Sequence, residues 1–239
     1  MNLIFLGFVT LFAAYFTSIL SNRQKETELA VASEKQREVA LQSYIDKISE
    51  LMLHENLRES AEDAEVRKIA RVRTIAVLYQ LDTRRANYVL SFLRELGLIA
   101  SDDARTSIIT FSEANLRKIN LHEDNLHKID LHKIDFSGAD LREVNLSGAT
   151  LSEANLSKAI LINANLRDAH LKEANLSEAN LSGTILKDGN LRNTNLSGAD
   201  FYQTDLSGAN LSGARVTEEQ LALASSLKGA TMPDGTKHD

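Results

Sequence analysis

Ala139-Asp140-Leu141-Arg142-Glu143-Val144-Asn145-Leu146-Ser147-Gly148-Ala149-Thr150-Leu151-Ser152-Glu153-Ala154-Asn155-Leu156-Ser157-Lys158 places a leucine at every fifth position and a small or β-branched apolar residue two places before each one. The same spacing runs without a gap from Phe111 to Leu211, with Val216 continuing it. Neither regular element can carry this period. On an α-helix a five-residue step turns about 500°, leaving an offset of about 140°, so the leucines would wind round every side. On a straight strand an odd step alternates faces. Positions i−2 and i can share a face only if each unit is a short extended piece followed by a turn, and a coil of repeated short sides then forms one core.

Units such as Ala139-Asp140-Leu141-Arg142-Glu143 and Ala154-Asn155-Leu156-Ser157-Lys158 resemble the pentapeptide-repeat family, over Ile109 to about Thr217. The resemblance implies an all-β solenoid: a right-handed quadrilateral β-helix with four pentapeptides per coil, i−2 and i inside, and i−1, i+1 and i+2 outside. The units would make about five and a half coils, roughly 26 Å tall at about 4.8 Å per coil. Ile109, Ile119, Ile129 and Ile134 stand where later units have Ala, predicting a wider first coil. Asp124 takes an inward position, where a carboxylate requires a hydrogen-bond partner or a local bulge. Thr217-Glu218-Glu219-Gln220 reads as a capping box opening a short helix to Ser225 or Ser226 over the far end. The tail, with the helical stretch before the repeats, also looks like that of bacterial members of the family.

Outward from the repeats, the chain divides into a transmembrane anchor at 1–21, a helical stalk at 22–59, a helical linker domain at 60–106, the repeats at 107–217, and a capping helix and tail at 218–239. The anchor expectation rests on Leu3, Ile4, Phe5, Leu6, Phe8, Val9, Leu11, Phe12, Phe16, Ile19 and Leu20 before the first charge at Arg23, worth roughly 5 kcal/mol toward the bilayer. Arg23, Lys25, Lys35 and Arg37 all follow it, so the positive-inside rule predicts a single-pass membrane protein with cytoplasmic repeats. A secretory signal peptide or the end of a longer apolar region are the alternatives. The 22–59 helix carries a seam at Leu41, Ile45, Ile48 and Met52, for packing on its neighbours or for self-association. Two shorter helices are predicted within 60–99, with stripes Val66, Ile69, Val72, Ala76 and Ala86, Val89 or Leu90, Leu93, Leu96. Asp82 is the expected N-cap and Gly97 the expected stop. The cluster Arg67, Lys68, Arg71, Arg73, Arg84 and Arg85 reads first as a solvated face.

The 239 residues hold 27 Lys+Arg against 33 Asp+Glu and no Cys. Disulfides, thiolate metal sites and cysteine nucleophiles are excluded, and no nucleic-acid partner is expected without a basic surplus. His122 and His127 are five apart, one too many for HExxH, and His132 continues round the corner. Exposed serines supply no nucleophile-base pair. The sequence therefore predicts no enzyme, metal or cofactor.

The expected function is a membrane-tethered scaffold offering flat outer faces to a cytoplasmic protein partner. By analogy with the topoisomerase-directed branch of the family, the alternative is a DNA mimic acting on gyrase, but the outer positions of 110–218 hold eleven basic against fourteen acidic residues. One side, with Asp140, Ile160 and Asp200 at i−1 and Arg142, Ile162 and Tyr202 at i+1, joins an apolar centre to an aromatic and a charged rim. It is the predicted protein-binding site; the alternative is that the two isoleucines drifted into a tolerant repeat, as isolated Ile185 has on another side.

Overall fold

The computed structural model describes residues 2–99, 107–117, 119–123 and 125–239, with no side chains described for 2–20. It contains helix α1 (Asn2–His54), α2 (Glu65–Gln80), α3 (Thr83–Glu95), a four-sided column, and the one-turn α4 (Glu218–Leu221). Asp124, expected as an inward carboxylate, lies outside the described residues.

The column is made of turns. The carbonyl of each inward Leu or Phe accepts from the N–H three places on, as in Ala139 N to Phe136 O at 2.9 Å and Ala154 N to Leu151 O at 3.1 Å. The third residue of each turn has positive φ, as at Glu153 (60°), Lys158 (60°) and Gly183 (67°), the pattern of a type II turn. Successive coils then join in register twenty: Asp140, Ile160, Asn180 and Asp200 form one stack of parallel bridges, and Asn155, Asn175 and Asn195 belong to another. Each rung donates upward (Leu141 N to Ile160 O, 2.8 Å) and downward (Ile160 N to Ala139 O, 2.9 Å).

This geometry corrects the expected fold class. The described residues contain no strand and no sheet, only isolated single-residue bridges between coils. The physical reason is the short unit: a turn occupies most of five residues, and the chain bends onto the next side before a second consecutive pairing can form. The solenoid is a stack of turns rather than an all-β helix.

The membrane expectation is overturned as well. No helix among the described residues is long and apolar enough to cross a membrane, so the expected anchor over 1–21 and the single-pass topology are not supported, and the placement of the repeats argued from that topology loses its basis. From Ser21 to Val39 α1 is mostly exposed and carries both charge signs, with exposed Leu29 and Val31.

Only the last part of α1 is packed. Tyr44, Ile48 and Leu51 are buried, with Leu41, Ile45 and Met52 half covered beside them. The buried face of α2 is Ala70, Thr74, Val77 and Leu78; of the predicted stripe only Val66 is partly buried, while Ile69, Val72 and Ala76 are exposed. Small Ala70 and Thr74 permit close approach, and the Tyr44 and Thr74 hydroxyls share a buried hydrogen bond of 2.7 Å. The α3 stripe Ala86, Val89, Leu90 and Leu93 is buried. Asp82 caps α3 by accepting from Arg85 N. The helix ends in a Schellman motif, with Gly97 N bonded to Arg94 O and Leu98 N to Leu93 O. Gly97 has φ of 65° and open space around its Cβ, so the backbone angle alone calls for glycine. Arg85 ties α3 to α1 through Glu34 at 2.7 Å and Glu38 at 3.2 Å. The hydrogen bond from Arg85 holds the Glu34 carboxyl below its ordinary range.

The helices close the near end of the column. Leu78 and Leu90 sit over Phe111, Leu116, Leu121, Leu126, Leu131 and Phe136, leaving a wholly apolar void of about 10 Å³, at the lower limit for one water. The first coil has carbonyls that face the side where no preceding coil stands. Arg71 bonds Thr110 O at 3.0 Å and also Ser112 O, Tyr79 Oη bonds Asn115 O at 2.6 Å, and Arg94 bonds Asn125 O. At the far end Thr217 and Gln220 form a reciprocal capping box, and Gln220 Nε2 reaches Leu196 O and Ala199 O. The tail adds bridges Asp205 to Ser226 and Asn210 to Thr231.

Inside, the leucines from Leu141 to Leu211 are fully buried. Where later units carry Thr184, Thr194 and Thr204 instead of Ala, each buried hydroxyl donates to a carbonyl of the preceding coil: Leu161, Leu171 and Leu181. Leu161→Asp is therefore expected to cost several kcal/mol by loss of packing and burial of a carboxylate. Ser157→Asp, at an outer position, should change stability by less than about 1 kcal/mol. Equal melting temperatures for the two full-length variants would contradict the inward assignment. Arg71→Ala, which orphans Thr110 O and Ser112 O, should lower stability by about 1–3 kcal/mol, and amide exchange should rise first in the coil beginning at Phe111.

Candidate protein-binding face

The four sides of the column differ in what they expose, because only i−1, i+1 and i+2 face outward. The side built on Leu121, Leu141, Leu161, Leu181 and Phe201 stacks Asn120, Asp140, Ile160, Asn180 and Asp200 in one line of bridges. The structure thus brings Asp140, Ile160 and Asp200 into one stack, and Arg142, Ile162 and Tyr202 into the adjacent i+1 line. Ile160 is 38% exposed and Tyr202 is 57% exposed; Ile162 is half-buried. Ile160 and Ile162 flank the buried Leu161 on one rung, with Tyr202 two coils further, about 10 Å along the axis. Their backbones are committed to the ladder, since Glu143 N donates to Ile162 O and Gly183 N to Tyr202 O. The side chains are left for solvent or a partner.

The charged rim is ordered. Arg142 grips Asp140 with two parallel bonds, Nε to Oδ1 at 2.8 Å and Nη2 to Oδ2 at 2.6 Å. Asp200 accepts from Tyr202 N at 3.0 Å and from Ser182 Oγ at 2.9 Å. The Arg142 hydrogen bonds, opposed by partial burial, hold the Asp140 carboxyl below the usual carboxylate range. A depressed pKa stabilises the folded state above the unfolded value, about 3.9 for Asp, and the contribution disappears as pH falls through the folded value. In Arg142→Ala the Asp140 titration followed by carboxyl NMR should move upward; an unchanged midpoint would show that the pair does not form in solution.

The remaining sides are polar. Ile185, 41% exposed, stands alone in the stack with Asn165 and Asp205. Side-chain amides form ladders in which Asn145 donates to Asn125, Asn165 to Asn145, Asn175 to Asn155, and Asn195 to Asn175. Surface acids are mostly matched with neighbours, as in Lys133–Glu153 at 3.6 Å and Lys158–Glu178 at 3.7 Å. His122, His127 and His132 fall on three successive sides. The sequence reading missed the second employment of the basic cluster: Arg71 and Arg85 are structural donors, as is Arg94 outside it. The available signal was the unmet carbonyl edge that any first coil must have.

A column of stacked five-residue turns, closed at both ends and bearing its variable residues outside, defines a repeat solenoid. The chain belongs to the pentapeptide-repeat family: eight copies of the family's pentapeptide repeats match at 110–142, 125–157, 149–188 and 190–218. Among solved structures it is similar to the pentapeptide repeat protein Rfr23 from Cyanothece 51142, at 32% identity over 41% of this chain and 84% of that one, with a TM-score of 0.31. It is also similar to alr5209, a pentapeptide repeat protein from Nostoc PCC 7120, at 31% identity over 45% and 84% of the two chains, with a TM-score of 0.30. A third is HetL, a pentapeptide repeat protein involved in heterocyst differentiation regulation from Nostoc sp. strain PCC 7120. It is 34% identical over 53% of this chain and 73% of its own, with a TM-score of 0.19. No curated protein matches the chain. The matched family is a repeat family, and no catalytic family is indicated.

Proposed function

We propose that the protein is a non-enzymatic scaffold that binds a protein partner through the side of the column carrying Ile160 and Ile162. The supporting observation is the pairing of these two apolar side chains on a single rung of a rigid, otherwise polar column, with exposed Tyr202 and the Asp140–Arg142 pair on the same side. An apolar centre with an aromatic and a polar rim is the composition of small protein interfaces. The inner positions are consumed by packing, so specificity resides in the outer ones.

An acidic, duplex-like surface is poorly supported. On the outer faces Arg142 pairs with Asp140, Arg167 with Asp168 and Asp188, and Lys172 with Glu173, so the field is broken into local pairs rather than summed.

The double variant Ile160→Lys, Ile162→Lys should lose partners that the wild-type chain retains in cross-linking, with no change in melting temperature. Ile185→Lys should retain them, because it alters an exposed isoleucine on another side. Equal retention by all three chains would remove this face as the docking site.

A further inference from the structure

On the same side but at the opposite end from Tyr202, three ligating groups converge. His122 Nε2 lies 3.8 Å from Glu123 Oε1 and 3.7 Å from Glu143 Oε1, and the three donor atoms all lie within 4.8 Å of one another. The convergence is built by the ladder. Glu123 and Glu143 occupy the third turn position of successive coils, with Glu123 N bonded to Arg142 O and Glu143 N to Ile162 O. Both have positive φ, 62° and 56°, so their side chains leave the column at equivalent points one coil apart. The backbone N–H of His122 is bonded to Asn120 Oδ1 at 3.1 Å, which fixes the turn from which the ring projects.

An independent comparison within the column shows what such an arrangement accommodates. On the neighbouring side Arg167 occupies the position equivalent to His122, and Asp168 and Asp188 those equivalent to Glu123 and Glu143. There the guanidinium bridges both carboxylates, at 3.4 Å and 3.7 Å. Two acids stacked one coil apart are thus held by a cation placed between them. In the His122 cluster the Arg142 guanidinium, which follows the same line of the column, is taken up bidentately by Asp140. An imidazole in place of the guanidinium leaves room for a small cation bound by its nitrogen.

The geometry points to a site for a divalent transition-metal ion, held by His122 Nε2 and one carboxylate oxygen each from Glu123 and Glu143. Metal bonds of about 2.0–2.2 Å to nitrogen and oxygen require only a modest closing of the observed separations. The imidazole ligand favours zinc-type ions over magnesium or calcium, which prefer oxygen alone. Glu123 and Glu143 are 64% and 54% exposed, so water completes the coordination. Because Glu143 belongs to the coil after that of His122 and Glu123, the ion ties two coils together just below the helical cap, where the inward alanines are replaced by Ile119, Ile129 and Ile134.

The test uses the full-length chain with zinc chloride as the only added metal, followed by calorimetry and by melting temperature. The wild type should bind one zinc ion at this site and melt at higher temperature when it is present. His122→Ala and Glu143→Gln, both outer-position changes, should each weaken that binding at least tenfold and abolish the zinc-dependent rise in melting temperature. His132→Ala should change neither, since His132 approaches Glu153 without a second stacked acid. Absence of zinc binding, equal binding by His122→Ala, or equal competition by magnesium would each overturn the assignment.

Discussion

Backbone groups in the column answer to neighbours about twenty residues away, and this register governs the rest of the molecule. Leu141 N meets Ile160 O above it while Ile160 N meets Ala139 O below, and the cycle repeats along all four sides. Buried peptide groups have no water to turn to, so a unit that failed to stack would leave them unpaired. The five-residue period is the shortest that supplies an inward pair, a ladder residue and a turn. Left-handed backbone at the third turn position is its conformational cost, and that position is therefore shared between glycines and long or polar residues such as Glu153, Lys158 and Asn163. After α4 the stacking continues with the register lengthened by one residue, in the bridges Asp205–Ser226 and Asn210–Thr231.

A ladder with this demand cannot simply stop. At the start of the column the helical region supplies both things a preceding coil would have supplied: apolar cover from Leu78 and Leu90, and donors from Arg71, Tyr79 and Arg94 to the free carbonyls. Helices and column consequently share one continuous core. Arg85 then fastens α3 to α1 through Glu34 and Glu38. Basic residues that look like a solvated cluster in one dimension are divided between closing the ladder and holding the helices together.

The same register decides what the surface can do. Residues twenty apart share a stack, and residues twenty-one apart sit diagonally across adjacent coils. The first relation assembles Asp140, Ile160 and Asp200 on one side. The second brings Glu143 to His122 and Asp188 to Arg167. A side chain therefore has its neighbours fixed by arithmetic, and a change of one residue type, His for Arg between two stacked acids, changes the chemistry of a rung without disturbing the core.

The period of apolar residues from Phe111 to Val216 made the repeat and its inward leucines legible without coordinates, because burial follows directly from spacing. The Asp82 cap, the Gly97 stop and the Thr217 capping box were legible for the same reason: each is a local signal with one backbone consequence. The α2 face was not, since Val66, Ile69, Val72 and Ala76 are as periodic as the residues that are buried, and the choice went to small Ala70 and Thr74 only because α1 comes close there. Strand content was overread, since alternation within five residues does not show whether a second pairing fits before the turn. The apolar run at 1–21 was likewise read from composition alone, without the environment of its side chains. Spacing thus determined which residues point inward, and the repeated Ala-Asp/Asn-Leu units carried the resemblance to the family. Tertiary structure decided the pairing of groups far apart in the chain, from Arg71 on the first coil to His122 beside Glu143, because those contacts depend on how coils and helices meet in space.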